Sequence, residues 1–163
     1  MISTDIKVFL TGGAGNTDPN LSLGGVTSAT QAGETLHALF DYVTPEEAAA
    51  GDTEYRAVDV QNTHGSETLY GAVLYISSQT SSGQTSFEVA YDTGTQSVAN
   101  ENTAPSAPAL TFSTASTKAT GIVLGDMAAG VKKRVWVKWI VSAGAVKMLS
   151  DTAKFKIEGG VAA

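Results

Sequence analysis

The chain has 163 residues, about one domain's worth, with a formal net charge of −6 and only 16% charged residues, against roughly 25% in ordinary soluble domains. It contains no cysteine, which excludes disulfides, thiolate chemistry and cysteine-ligated zinc. The acidic balance argues against nucleic acid as a partner. No apolar run reaches the roughly 18 residues that span a bilayer, and Met-Ile-Ser-Thr-Asp has no basic n-region, so a soluble product without a membrane partner is expected.

Charge is unevenly spread along the chain. Residues 1–117 carry a net −11 and residues 118–163 a net +5. Strands interleave in space, so this asymmetry need not become a dipole; if it does, unlike patches would steer identical subunits together.

Asp5 to Leu10 reads as a short strand. The Gly-, Ser- and Thr-rich stretch that follows, through Gly33, has weak periodicity, which is uncommon inside a compact domain. Residues 1–34 are therefore expected to form an N-terminal arm or extended loop, lying along a neighbouring subunit with Val8, Phe9, Leu10, Leu21 and Leu23 as anchors. Residues 35–163 are assigned to an all-β, antiparallel sandwich. Thr35 to Val43 is apolar enough to enter its core. A short helix follows: Thr44 caps it, Pro45 suits its first position, Glu47 completes a capping box and Gly51 ends it.

Beyond Glu54 the chain reads as strand and turn. Tyr55 to Ile76 predicts two strands around a turn at Asn62-Thr63-His64-Gly65, and Leu69 to Ile76 is apolar on both faces. Phe87, Val89 and Tyr91 alternate with Ser86, Glu88 and Ala90, the period of a sheet with one wet face. Thr93 to Pro108 reads as a loop. Val131 to Val141 is the longest alternating run, placing Val135, Val137, Trp139 and Val141 on one face and Lys132, Arg134, Trp136 and Lys138 on the other. Trp139 is expected in the core. Trp136, between two basic residues on an open face, is the expected contact residue, with Lys132, Arg134 and Lys138 around it.

Motifs for chemistry are weak. Gly12-Gly13-Ala14-Gly15 has neither phosphate-loop nor dinucleotide spacing. Asn16, Asp18 and Asn20 alternate like calcium-loop ligands but lack the distal bidentate Glu. His37 and His64 belong to no catalytic pattern, and Glu46 and Glu47 are explained by the helix N-terminus. No catalytic, cofactor-binding or metal-binding residue is expected, and the chain is not expected to be an enzyme.

Val58-Asp59-Val60-Gln61-Asn62-Thr63 and Ile122 to Gly130 resemble the strand and turn patterns of immunoglobulin-like adhesion and decoration modules. Gly12 to Asn20, Ala49 to Arg56, Asn100 to Pro105 and Val135-Trp136-Val137-Lys138, in that order, resemble small virion structural proteins of tailed bacteriophages. The resemblance implies a non-enzymatic, homo-oligomeric head decoration or cement protein on the capsid surface, contacting the major capsid protein or other virion subunits. A tail or baseplate position is the alternative. A receptor- or glycan-binding module using Tyr70, Tyr75 and Trp136 is the rival from another class.

Overall fold

The computed structural model describes residues 3–35, 37–94, 96–148 and 151–161. Among them are seven strands and one α-helix: β1 (Ile6–Leu10), α1 (Pro45–Ala50), β2 (Asp52–Asn62), β3 (Leu69–Ser78), β4 (Thr85–Asp92), β5 (Ile122–Met127), β6 (Lys132–Val141) and β7 (Lys154–Gly160). They form two antiparallel sheets, β1-β2-β6-β4 and β5-β3-β7. The two sheets pack as a β-sandwich.

Period-two alternation supplies the core. Val58 and Val60 of β2, Phe87 and Val89 of β4, and Val135, Val137, Trp139 and Val141 of β6 meet Leu74 and Ile76 of β3 and Leu124 and Met127 of β5. Each such side chain fully removed from water contributes about 1.5–3 kcal/mol. Phe40 enters this core as expected, with its ring 5.3 Å from Trp139 and 5.7 Å from Phe87. Helix α1 also forms where its capping signals place it. Thr44 Oγ1 accepts from Glu47 N at 3.3 Å, Glu47 Oε2 accepts from Thr44 N at 2.7 Å, and Gly51 ends the helix at φ 78°.

The turn after β2 is not a hairpin, because β2 and β3 belong to opposite sheets. Asn62, fully buried, holds this crossing: its Nδ2 donates to Glu67 O and Met127 O, both at 2.8 Å, and its Oδ1 accepts from His64 N at 3.0 Å. β3 is central in its sheet, which explains its apolar character. The connection from β6 to β7 is tied down by Asp151, which accepts from Ser81 N and Ser82 N and from the hydroxyls of Ser82 and Thr85.

The N-terminal segment departs from expectation. β1 pairs with β2 in full register, Ile6 opposite Asn62 through Leu10 opposite Val58. Residues 11–31 then fold over the outer face of the same sheet and meet the 96–101 loop there. Ala57 N donates to Ser22 O, Gly25 N to Gln96 O, and Val98 N to Leu23 O. Two glycines permit the closeness of these strands of chain. A Cβ on Gly12 would lie 2.1 Å from Leu21 O, and one on Gly24 would lie 1.9 Å from Gln96 O. The segment is an extended loop laid on its own sandwich rather than an arm reaching away from it.

The sheet edges are treated differently. β1 is flanked by residues 28–32, through Ser28 N to Leu10 O, Leu10 N to Thr30 O and Ala32 N to Val8 O. β4 is flanked by Ser113, which exchanges two backbone bonds with Val89, and by the side chain of Gln79, which bonds both N and O of Phe87. Among the described residues, no comparable backbone bonds cover the outer edges of β5 and β7.

Candidate functional site

The alternation in β6 holds, but its polar face is not open. Trp136 is 0% exposed, and Arg134 is buried with it. The cover is the layer made by residues 11–31, 93–94 and 96–113. Arg134 Nη2 donates to Gly25 O at 2.7 Å and Nη1 to Gln96 O at 3.3 Å, so one guanidinium joins both covering loops to the sheet. Trp136 Nε1 donates to Asp92 Oδ2 at 3.1 Å. Burial opposes the charge on Asp92, but the amides of Gly94 and Gln96 and the indole of Trp136 outweigh it and hold the carboxyl below its usual range.

The expected contact patch is therefore not assembled. Lys132 is exposed, and Lys138 pairs with Glu88 at 3.0 Å and lies over the Phe112 ring. Arg134 and Trp136 are corrected from surface contacts to interior residues. Of the expected anchors, Leu10 is buried, Val8 packs against the core of its own sandwich, and Phe9 and Leu23 are half-buried; only Leu21, 57% exposed, faces outward. The charge asymmetry of the sequence is partly cancelled across the strands. Basic residues of β6 pair with acidic residues of β2 and β4, as Arg134 with Asp59 and Lys138 with Glu88.

A cluster missed at the sequence level lies at the start of β2. Glu54 and Arg56 face inward, opposite Trp139 and Val137. Arg56 Nη2 stands 2.9 Å from Glu54 Oε2, 2.6 Å from Glu101 Oε2 and 3.2 Å from Asn20 Oδ1, with its guanidinium over the Phe40 ring. Carboxylate oxygens of Glu47, Asp52 and Glu54 lie within 4.8 Å of one another. Burial pushes the Glu54 carboxyl up to about 7; Arg56 opposes the shift, and Glu101, Asp41 and Asp52 add to it. Such a cluster can hold a shared proton or a cation. Glu47 is already engaged by Thr44 N and Asp52 by Asn102 Nδ2, and Arg56 already supplies a positive charge. The signal available in the sequence was Glu54-x-Arg56, two charges at core-facing positions of an alternating strand.

Other sequence candidates resolve locally. Asn16 Oδ1 accepts from Asp18 N and Asp18 Oδ1 from Asn20 N, both at 2.9 Å, so these oxygens shape Asx turns. His64 Nδ1 accepts from Ser66 N and Glu67 N. A surface depression lined by Gln96, Ser97, Val98 and Thr103 measures ≈ 300 Å³ and is open rather than enclosed.

Comparison with protein-family models, with curated proteins and with solved structures gave no match. Exposed large apolar side chains occur on all three strands of the smaller sheet, Tyr70 on β3, Val123 on β5 and Phe155 on β7, with Val161 just beyond β7. Among the described residues no helix is long and apolar enough to cross a membrane.

Proposed function

We propose that the chain is a non-enzymatic structural subunit of a tailed-bacteriophage virion, a head decoration or cement protein that binds the major capsid protein or its neighbours. The observation that carries the assembly reading is the difference between the two sheets. The four-stranded sheet is closed over by the chain's own loops and flanked at both edges, whereas the three-stranded sheet, among the described residues, keeps two uncovered edges and carries Tyr70, Val123 and Phe155. Exposed apolar side chains mark surfaces that meet protein, and Tyr70, Val123 and Phe155 place one on each strand of this sheet. The low charge content of the sequence favours the same reading, and the virion assignment itself rests on the sequence resemblance.

The immunoglobulin-like type belongs to this proposal at the level of the four-plus-three strand division. The order here, β1-β2-β6-β4 with β5-β3-β7, departs from the A-B-E-D and C-F-G order of constant-type domains. The glycan-binding rival loses support, because Trp136 and Tyr75 are buried and only Tyr70 of its three aromatics is exposed.

The test is cosedimentation of labelled protein with purified empty phage heads and, separately, with cell envelopes. Saturable binding to heads is expected. Binding to envelopes alone would replace this proposal with a receptor-directed one.

A further inference from the structure

We propose that the open edge of β7 pairs antiparallel with β7 of a second copy, about a two-fold axis through Ile157, joining the two three-stranded sheets into one of six strands. The inference goes beyond the virion reading and does not depend on it.

Edge protection in this chain is asymmetric. An uncovered strand edge presents a row of free N–H and C=O groups that can template another strand. This chain flanks β1 and β4 with its own backbone and leaves β7, seven residues long, hydrogen-bonded on the β3 side only among the described residues.

The charges of β7 select a register. A two-fold axis perpendicular to a continuous antiparallel sheet keeps every side chain on its own face, so residues facing each other across it must be of equal parity and the axis must pass through a residue. An axis at Phe155 sets Lys154 against the partner's Lys156. One at Lys156 or Glu158 sets that charge against its own copy. The axis at Ile157 alone among these places Lys156 opposite the partner's Glu158, and does so twice. Lys156 and Glu158 already lie 2.8 Å apart within one chain, so four alternating charges would surround the axis. Edge lysines ordinarily discourage pairing; here the charges of β7 oppose the registers centred on Phe155, Lys156 and Glu158 and favour the one centred on Ile157.

The opposite face of β7 fits the same register. Phe155, Ile157 and Gly159 share it. Ile157 packs on the core, while Phe155 touches Phe87 at 5.9 Å yet stays 39% exposed. The Ile157 register places Phe155 opposite the partner's Gly159, where no side chain competes for the space. Gly159 itself is held to glycine from within, since a Cβ there would lie 2.7 Å from Leu69 Cγ.

The test is sedimentation equilibrium of the full chain from tens to hundreds of micromolar, with far-UV circular dichroism to verify folding. The wild type is expected to dimerise. Lys156→Glu and Glu158→Lys should each weaken the dimer about tenfold by setting like charges opposite one another, and the double variant K156E/E158K should recover it. A wild type that stays monomeric overturns the proposal, as does a dimer indifferent to either single reversal or a folded double variant that does not recover. Amide exchange on the wild type supplies a reading free of variants: protection in β7 should rise with protein concentration while that in β5 does not. Concentration-independent exchange in β7 would equally overturn it.

Discussion

Arg134 and Asp59 stand opposite each other on β6 and β2, and the guanidinium grips the carboxylate at two points, Nε to Oδ1 at 2.6 Å and Nη2 to Oδ2 at 2.9 Å. Both residues are buried, and the remaining donors of Arg134 reach Gly25 O and Gln96 O. Thr27 Oγ1 donates to Asp59 Oδ2 as well. The pair therefore fastens two covering loops to one sheet. Removing one member of such a pair leaves a buried charge without its counter-charge, at a cost of about 3–5 kcal/mol. Asp59→Asn should lower the urea midpoint accordingly; an unchanged midpoint would mean that water reaches Arg134.

Trp136 should behave as an interior residue. Trp136→Ala is expected to destabilise the isolated subunit by about 3–5 kcal/mol, comparably to Trp139→Ala, whereas Lys132→Ala should change stability by less than about 0.5 kcal/mol. Trp136→Phe keeps most of the packing but deletes the bond to Asp92, and should cost about 1–3 kcal/mol through the acceptor left buried. Denaturant unfolding of the four single variants separates these outcomes. A stable Trp136→Ala subunit would show that the loop layer is open in solution.

Glu54 predicts an unusual pH dependence. Its folded carboxyl titrates near 7 against an ordinary value of 4.5, so the folded state holds a proton that the unfolded chain releases. The stability contributed by the neutral form is fully present below pH 4.5 and is lost as pH rises through 7, on the order of 3 kcal/mol at most. Glu54→Gln cannot titrate and should remove that slope. The difference in unfolding free energy between wild type and Glu54→Gln, followed from pH 4 to pH 8, should therefore shift in favour of the variant as pH rises. A pH-independent difference would place the charged carboxylate comfortably beside Arg56.

Deleting residues 1–23 should abolish folding rather than yield a folded domain that merely assembles poorly. The truncation removes β1 and with it the cover of Val58 and Val60, and it removes Ser22, whose carbonyl accepts from Ala57 N and whose hydroxyl donates to Ala57 O at 2.6 Å. Circular dichroism and proteolysis check this directly. A soluble, protease-resistant truncation would show that residues 1–23 are not needed for the fold.

The elements legible in the sequence are those whose physics is local. The capping box at Thr44 and Glu47 is complete within four residues, and the alternation of β4 and β6 follows from the two-residue period of an extended chain. Those patterns determined α1, the inward placement of Trp139, and a β-sandwich of roughly one domain. They left β7 unread, because Lys154 to Gly160 mixes charges with glycines and gains its apolar neighbours only from β3.

Tertiary structure decided what lies on the other side of each strand. An alternating run states which residues share a face, not whether that face meets water or another layer of chain. Arg134 and Trp136 became interior residues because loops near positions 25 and 96, remote in sequence, close over β6 and supply carbonyls, while Asp59 of β2 and Asp92 of β4 supply carboxylates. Asn62, likewise, could be read as a turn residue from its neighbours, but its role in sending the chain from one sheet to the other depends on Met127 O, which only the folded molecule brings within reach.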